Sequence, residues 1–211
     1  MKREKSLVII MAIAFLALAV WMFLPVPVFA ADDWKIRVDP AHAGFGALST
    51  WARDAGEPGR MGDPKQFGLY LQVGVLAPDG PYAGTRNLLR KPIAAADLTQ
   101  LGFDISGRSG EAGVFTPSDP RHGYCEGGAP RFVVEHDGGT CFFECAHGDK
   151  VQDPNTNWWE IRFVPPFTQY PSCAGGLTGT VTYIDITFDE QGSVVLDNIR
   201  VNDRVVGKPL D

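Results

Sequence analysis

The sequence predicts an all-β protein: an antiparallel two-sheet sandwich with few or no helices. Three observations predict it. In Thr178–Asn202, Ile184, Ile186 and Phe188 alternate with Tyr183, Asp185 and Thr187, the period-two pattern of a strand with one buried face. About eight such segments follow one another, separated by turn residues rather than long helical patterns. The chain also holds 24 glycines and 16 prolines, a composition of many turns.

Residues 1–30 read as a targeting segment. Lys2, Arg3 and Lys5 precede the apolar run 6–24, and Val28-Phe29-Ala30 places small residues before a cut after Ala30. The alternative is an uncleaved anchor, since the run approaches the roughly 20 residues that span a bilayer. Either way 31–211 is expected outside the cytoplasm, as one β-sandwich domain. The formal net charge is −6, and removing Lys2, Arg3, Lys5 and Glu4 with the leader leaves the rest more acidic still. Such a surface argues against nucleic acid and against anionic lipid, so membrane contact is expected only through an uncleaved leader.

From there Trp34, Ile36 and Val38 make a short first strand that Asp39-Pro40 ends, and 41–65 reads as a long loop with turn chemistry at Gly56-Glu57-Pro58-Gly59. Phe67, Leu69, Leu71, Val73 and Val75 face inward on a central strand, with Tyr70 and Gln72 outward. Residues 91–101 read as a loop or one helical turn leading into a strand over 101–106, and 107–128 as a polar loop. Arg131–Glu135 and Cys141–Ala146 form a hairpin around His136-Asp137-Gly138-Gly139. A polar loop, 149–157, leads to the strand Trp158–Val164, which Pro165-Pro166 stops. After the loop 170–176, Thr178–Asn202 closes the domain as two strands joined at Asp189-Glu190-Gln191-Gly192, read as an antiparallel hairpin with Thr182 on its buried face.

Cys125, Cys141, Cys145 and Cys173 suggest two disulfides in an exported chain, because their spacing lacks the paired CxxC knuckles of a structural zinc site. Cys141 and Cys145 share a strand face about 13 Å apart, too far to pair. Proximity along the chain favours Cys125–Cys141 and Cys145–Cys173.

The closing VVLDNIRVN, Val194–Asn202, resembles the last strand of jelly-roll carbohydrate-binding modules and galactose-binding-like domains of secreted proteins, a resemblance carried by the last third of the chain. It implies a jelly-roll-like sandwich and a sugar ligand. It also implies a structural Ca²⁺ at Asp197, which by alternation shares a face with the apolar Val195, Ile199 and Val201 and is costly to bury alone. Asp39 is the expected second ligand, since first and last strands often neighbour in such folds. The other readings of Asp197 are a carboxylate accepting backbone N–H or Arg hydrogen bonds, or a bulge that turns it outward.

For the sugar, Trp158, Glu160 and Arg162 share one strand face opposite Trp159, Ile161 and Phe163. An aromatic plate beside hydrogen-bonding groups suits a sugar's C–H face and hydroxyl rim. Tyr183 and Asp185 offer a second such pair, and the two sets make one platform if their strands share a sheet. Beside a carbohydrate-binding domain stand a structural domain that contacts a surface protein and, third, a glycosidase using Glu160 and Asp185. The four histidines show no metal or catalytic spacing, and no nucleophile elbow or phosphate loop is present.

Overall fold

The structure, a computed structural model, describes residues 38–40, 46–58, 66–74, 80–106 and 128–206. All of them belong to one of the two units into which the chain divides, Trp34–Asp211. The expected leader, 1–30, and Cys125 lie outside the described residues. Among the described residues no helix is long and apolar enough to cross a membrane.

The fold is an all-β sandwich. Its strands are β1 (Val38–Pro40), β2 (Leu48–Ala52), β3 (Gly68–Val73), β4 (Ala83–Thr85), β5 (Ile93–Ala94), β6 (Leu101–Ser106), β7 (Arg131–His136), β8 (Gly139–Glu144), β9 (Asp149–Gln152), β10 (Trp158–Phe163), β11 (Thr180–Phe188), β12 (Gly192–Val201) and β13 (Arg204–Val206). One sheet has the order β1-β4-β11-β7-β8, with β5 also on β11; the other has β2-β3-β12-β6-β10-β9, with β13 also on β12. Every pairing among the described residues is antiparallel.

The period-two pattern sets the inner faces. Phe132, Ile184 and Ile186 of the first sheet and Leu71, Phe103, Phe163 and Leu196 of the second are fully buried. Across the layers the Phe132 ring lies 5.5 Å from Phe103 and, edge to face, 6.1 Å from Phe163. Tilted and edge-on contacts at such distances add about 0.5–1.5 kcal/mol each to the area they bury.

Several expectations change. The closing hairpin is an arch: β11 lies in the first sheet and β12 in the second, so the chain crosses the core edge at 189–191 instead of folding back into one ladder. Asp189 is clasped by Arg131, Glu190 accepts the Ala129 N–H at 3.1 Å, and Gln191 Nε2 donates to the Gly74 carbonyl at 3.2 Å. These anchors hold the crossing. A bulge between Val181 and Tyr183 puts Val181 in the core and leaves Thr182 exposed, reversing its expected facing. Within the expected loops lie β2, whose inward Ser49 is polar, and β9, exposed throughout. Residues 95–97 form a single 3₁₀ turn.

The disulfide pairing also differs. Cys141 bonds Cys173, and Cys145 is itself disulfide-bonded, so neither Cys125–Cys141 nor Cys145–Cys173 forms. Proximity along the chain is a poor guide here because the 3₁₀ turn Pro171–Cys173 packs beside β8, bringing Cys173 to Cys141 rather than to Cys145.

Candidate functional site on two outer sheet faces

The five expected ligand residues divide between opposite faces. Trp158, Glu160 and Arg162 stand on β10 in the seven-stranded sheet, Tyr183 and Asp185 on β11 in the six-stranded sheet. The shared platform therefore does not form. Each group has its own surroundings.

On the seven-stranded sheet β6 and β10 run in register, pairing Trp158 with Ser106 and Glu160 with Asp104. Beside them β12 carries a register shift between Asp197 and Arg200, with Asn198 at φ 46°. The extra residue changes the parity of the strand. Val194 and Leu196 point into the core before it, Ile199 and Val201 after it, and Asp197 and Arg200 both face outward. Asp197 is thus not a carboxylate among core side chains. The alternation grouped it with Ile199 and Val201, whose facing the shift inverts; the structure instead matches the other reading of Asp197, an outward carboxylate that accepts backbone N–H groups beside a bulge.

The outward groups bind one another. Arg200 donates to both oxygens of Asp104, at 2.8 and 3.3 Å, and sits 3.2 Å from Glu160 Oε1. Glu160 Oε2 accepts from Arg162 at 2.6 Å, a bond that raises the Arg162 pKa above its ordinary value. Asn198 Nδ2 donates to Asp104 Oδ2 at 2.7 Å and to Glu57 Oε2 at 3.0 Å. Asp197 Oδ2 accepts the Glu57 N–H at 2.9 Å, and Oδ1 the Asn198 N–H at 2.7 Å. Glu57, Asp104, Asp197, Asn198 and Arg200 are all buried, as is Trp158, at 6 % exposure. This face joins a surface loop to three strands by charge-assisted bonds, and its aromatic plate is closed to solvent. The sequence reading singled out Asp197 and missed Glu57, Asp104, Asn198 and Arg200. The signal for Asp104 was present, since Gly102, Asp104 and Ser106 alternate with Leu101, Phe103 and Ile105.

A calcium site was expected of Asp39 and Asp197. However, β1, which carries Asp39, pairs with β4 in the six-stranded sheet, while β12 lies in the other. Both Asp197 oxygens accept backbone N–H groups. Among the described residues no group of three or more His, Cys, Asp or Glu side chains is placed to hold a metal ion.

The six-stranded sheet is organised differently. Its register sets three outward rows: Tyr183, Glu135 and Thr140; Asp185, Val133 and Phe142; Thr187, Arg131 and Glu144. Tyr183 donates its hydroxyl to Asp185 Oδ2 at 3.0 Å. Burial first, then the Asp185 charge, pushes the Tyr183 phenol well above the usual tyrosine range. Asp185 is buried, at 8 % exposure, whereas Phe142 is 38 % exposed. The Arg131 guanidinium lies 5.8 Å from the Phe142 ring centroid. The face thus carries an exposed aromatic ring with a guanidinium beside it and a hydrogen-bonded hydroxyl–carboxylate pair two strands away.

No family model, curated protein or solved structure matches this chain.

Proposed function

We propose that this is an exported, non-catalytic β-sandwich whose ligand is a carbohydrate, bound on the outer face of the six-stranded sheet. The observation that carries this reading is the row Asp185–Val133–Phe142, in which an exposed aromatic ring lies two strands from a carboxylate hydrogen-bonded to Tyr183. A sugar needs a flat apolar contact beside several hydrogen-bonding groups, and this face supplies both on strands rather than loops. Trp158, the first candidate for that contact, is buried beside the ion network, so the aromatic role passes to Phe142 and Tyr183. Export rests on the leader-like residues 1–30 and on the disulfides, which persist in oxidising compartments.

A glycan array followed by calorimetry tests the reading. Phe142→Ala is expected to weaken binding of the retained glycan at least tenfold at unchanged thermal stability, and Trp158→Phe to leave it unaltered. Absence of any retained glycan removes the carbohydrate reading. A second reading, a domain that docks a surface protein, is favoured by β9, whose residues are all exposed with Val151 at 56 %. Co-purification of one partner, lost in Val151→Asp, would support it in place of the first.

A further inference from the structure

The two ends of the Cys141–Cys173 disulfide are held differently. Cys141 stands within β8, opposite Val134 of β7 in an antiparallel ladder. Cys173 ends a three-residue 3₁₀ turn, held by Cys173 N–H to Tyr170 O at 2.9 Å and Gly176 N–H to Cys173 O at 2.8 Å. Pro171, Ala174 and Gly175 around it are exposed. Both sulfurs are buried, but a short surface turn opens at far lower cost than a strand inside a sheet.

A histidine also distinguishes the two sulfurs. His136 Nδ1 lies 3.1 Å from the backbone N of Gly138 and 3.1 Å from that of Thr178, with the Thr178 carbonyl farther off at 3.3 Å. Backbone N–H groups only donate, so these two fix Nδ1 as the acceptor and leave the ring proton on Nε2. Nε2 is 3.6 Å from Cys141 Sγ, so the N–H points at that sulfur.

We propose that this disulfide undergoes directed thiol–disulfide exchange, with Cys173 the sulfur attacked and Cys141 the leaving group. The thiolate of an extracytoplasmic thiol or dithiol reductant attacks Cys173 Sγ as the turn opens. A new S–S bond forms to Cys173, the Cys141–Cys173 bond breaks, and its electron pair leaves on Cys141 Sγ, where the His136 N–H stabilises the charge. Exchange is faster through the sulfur whose partner leaves more readily. A second thiolate of the reductant then attacks the mixed disulfide, freeing Cys173 as a thiolate and oxidising the dithiol to its disulfide. The turn around residues 171–176 is thereby released from β8.

The test treats the folded protein with reduced glutathione, quenches with acid, alkylates free thiols and maps the adducts by mass spectrometry. Glutathione is expected on Cys173 and the alkyl group on Cys141, in at least fivefold excess over the reverse. His136→Phe is expected to abolish this bias and slow adduct formation about five- to tenfold, its fold being checked by near-UV circular dichroism. Adducts on Cys141, an even split, no adduct, or adducts that appear only as the folded signal is lost would each overturn the proposal.

Discussion

Arg200 carries much of the burden on the seven-stranded face. It meets Asp104 through two nitrogens and reaches Glu160, and Asp104 is almost fully enclosed. Removing one partner of such a pair strands the other as a buried charge, which costs about 3–5 kcal/mol. Arg200→Met is expected to lower stability by that amount in urea titration. Arg200→Lys should fall between, because a lysine cannot make the forked contact. A loss below about 1 kcal/mol in Arg200→Met would show that the network is not what holds this face. Asn198 separates a backbone role from a side-chain role. Its φ of 46° suits glycine or asparagine, and its amide binds Glu57 and Asp104. Asn198→Gly loses the amide alone, whereas Asn198→Ala also loses ease of conformation, and should be the worse by about 1 kcal/mol. Equal losses would leave the bulge without a stabilising role for its left-handed residue. Tyr183 gives a signed pH effect. Its pKa is raised, so the folded state keeps the phenolic proton where the unfolded chain, titrating near 10.0, has lost it. That contribution is complete below this pH and is lost as the pH climbs toward the folded-state value. Tyr183→Phe has no such loss, so its stability relative to wild type should rise between about pH 9 and pH 11 in paired urea titrations. A gap that does not change with pH would exclude the effect.

At the scale of elements, the arch between β11 and β12 is held by chemistry specific to a crossing. Arg131 on Asp189, Glu190 on the Ala129 amide and Gln191 on the Gly74 carbonyl tie the 189–191 turn to β7 and to the chain at Ala129 and Gly74 rather than pairing β11 with β12. Replacing Glu190-Gln191 by Asn-Gly improves hairpin propensity but should destabilise the protein by about 1–3 kcal/mol, because it favours a pairing this fold does not use. A calorimetric rise in melting temperature would refute that account. The same element shows how far the sequence could be read. Alternation at 180–188 and 192–201 announces two half-buried strands, and both are present. But a turn joining two strands within a sheet and one joining two sheets look alike in sequence, since either needs only a polar break between alternating runs. Facing at Thr182, and the grouping of Asp197 with Ile199 and Val201, failed for a related reason: one extra residue inverts the side chains beyond it, and neither bulge is marked by a glycine. Polar strands were hidden too. Ser49 in β2 earns its burial by accepting the Gly84 N–H at 2.8 Å, a relation between residues 35 apart that no local pattern records. Of the candidate site, the outward placement of Tyr183 and Asp185 was legible from alternation, whereas the burial of Trp158 was not, because alternation tells which face a side chain takes and not what covers that face.

For the whole molecule, the Cys141–Cys173 bond ties the connection between β10 and β11 to the six-stranded sheet. Cys141 belongs to β8, the end strand of the six-stranded order, and Cys173 to the chain that has just left β10 in the seven-stranded sheet. The residues are separated by 32 positions. Closing a loop of that length removes entropy from the unfolded chain worth about 3–4 kcal/mol. Phe143, Phe163, Phe167 and Tyr170 pack beside the bond, with Phe143 lying 5.7 Å from Phe163 and 5.4 Å from Tyr170, so the layers also meet there through aromatic contact. That packing is expected to survive loss of the cross-link, which separates a tethering role from a packing one. The double variant Cys141→Ala/Cys173→Ala should unfold in a single transition with a melting temperature lower by about 6–16 °C, given roughly 2–4 °C per kcal/mol for a chain of this size. Its near-UV circular dichroism should stay close to wild type at low temperature, because the rings keep their neighbours. Loss of that signal without heating would mean that the bond organises the aromatic cluster instead of tethering the turn beside it, and an unchanged melting temperature would mean that the cross-link adds nothing to the packing that already holds this turn to β8.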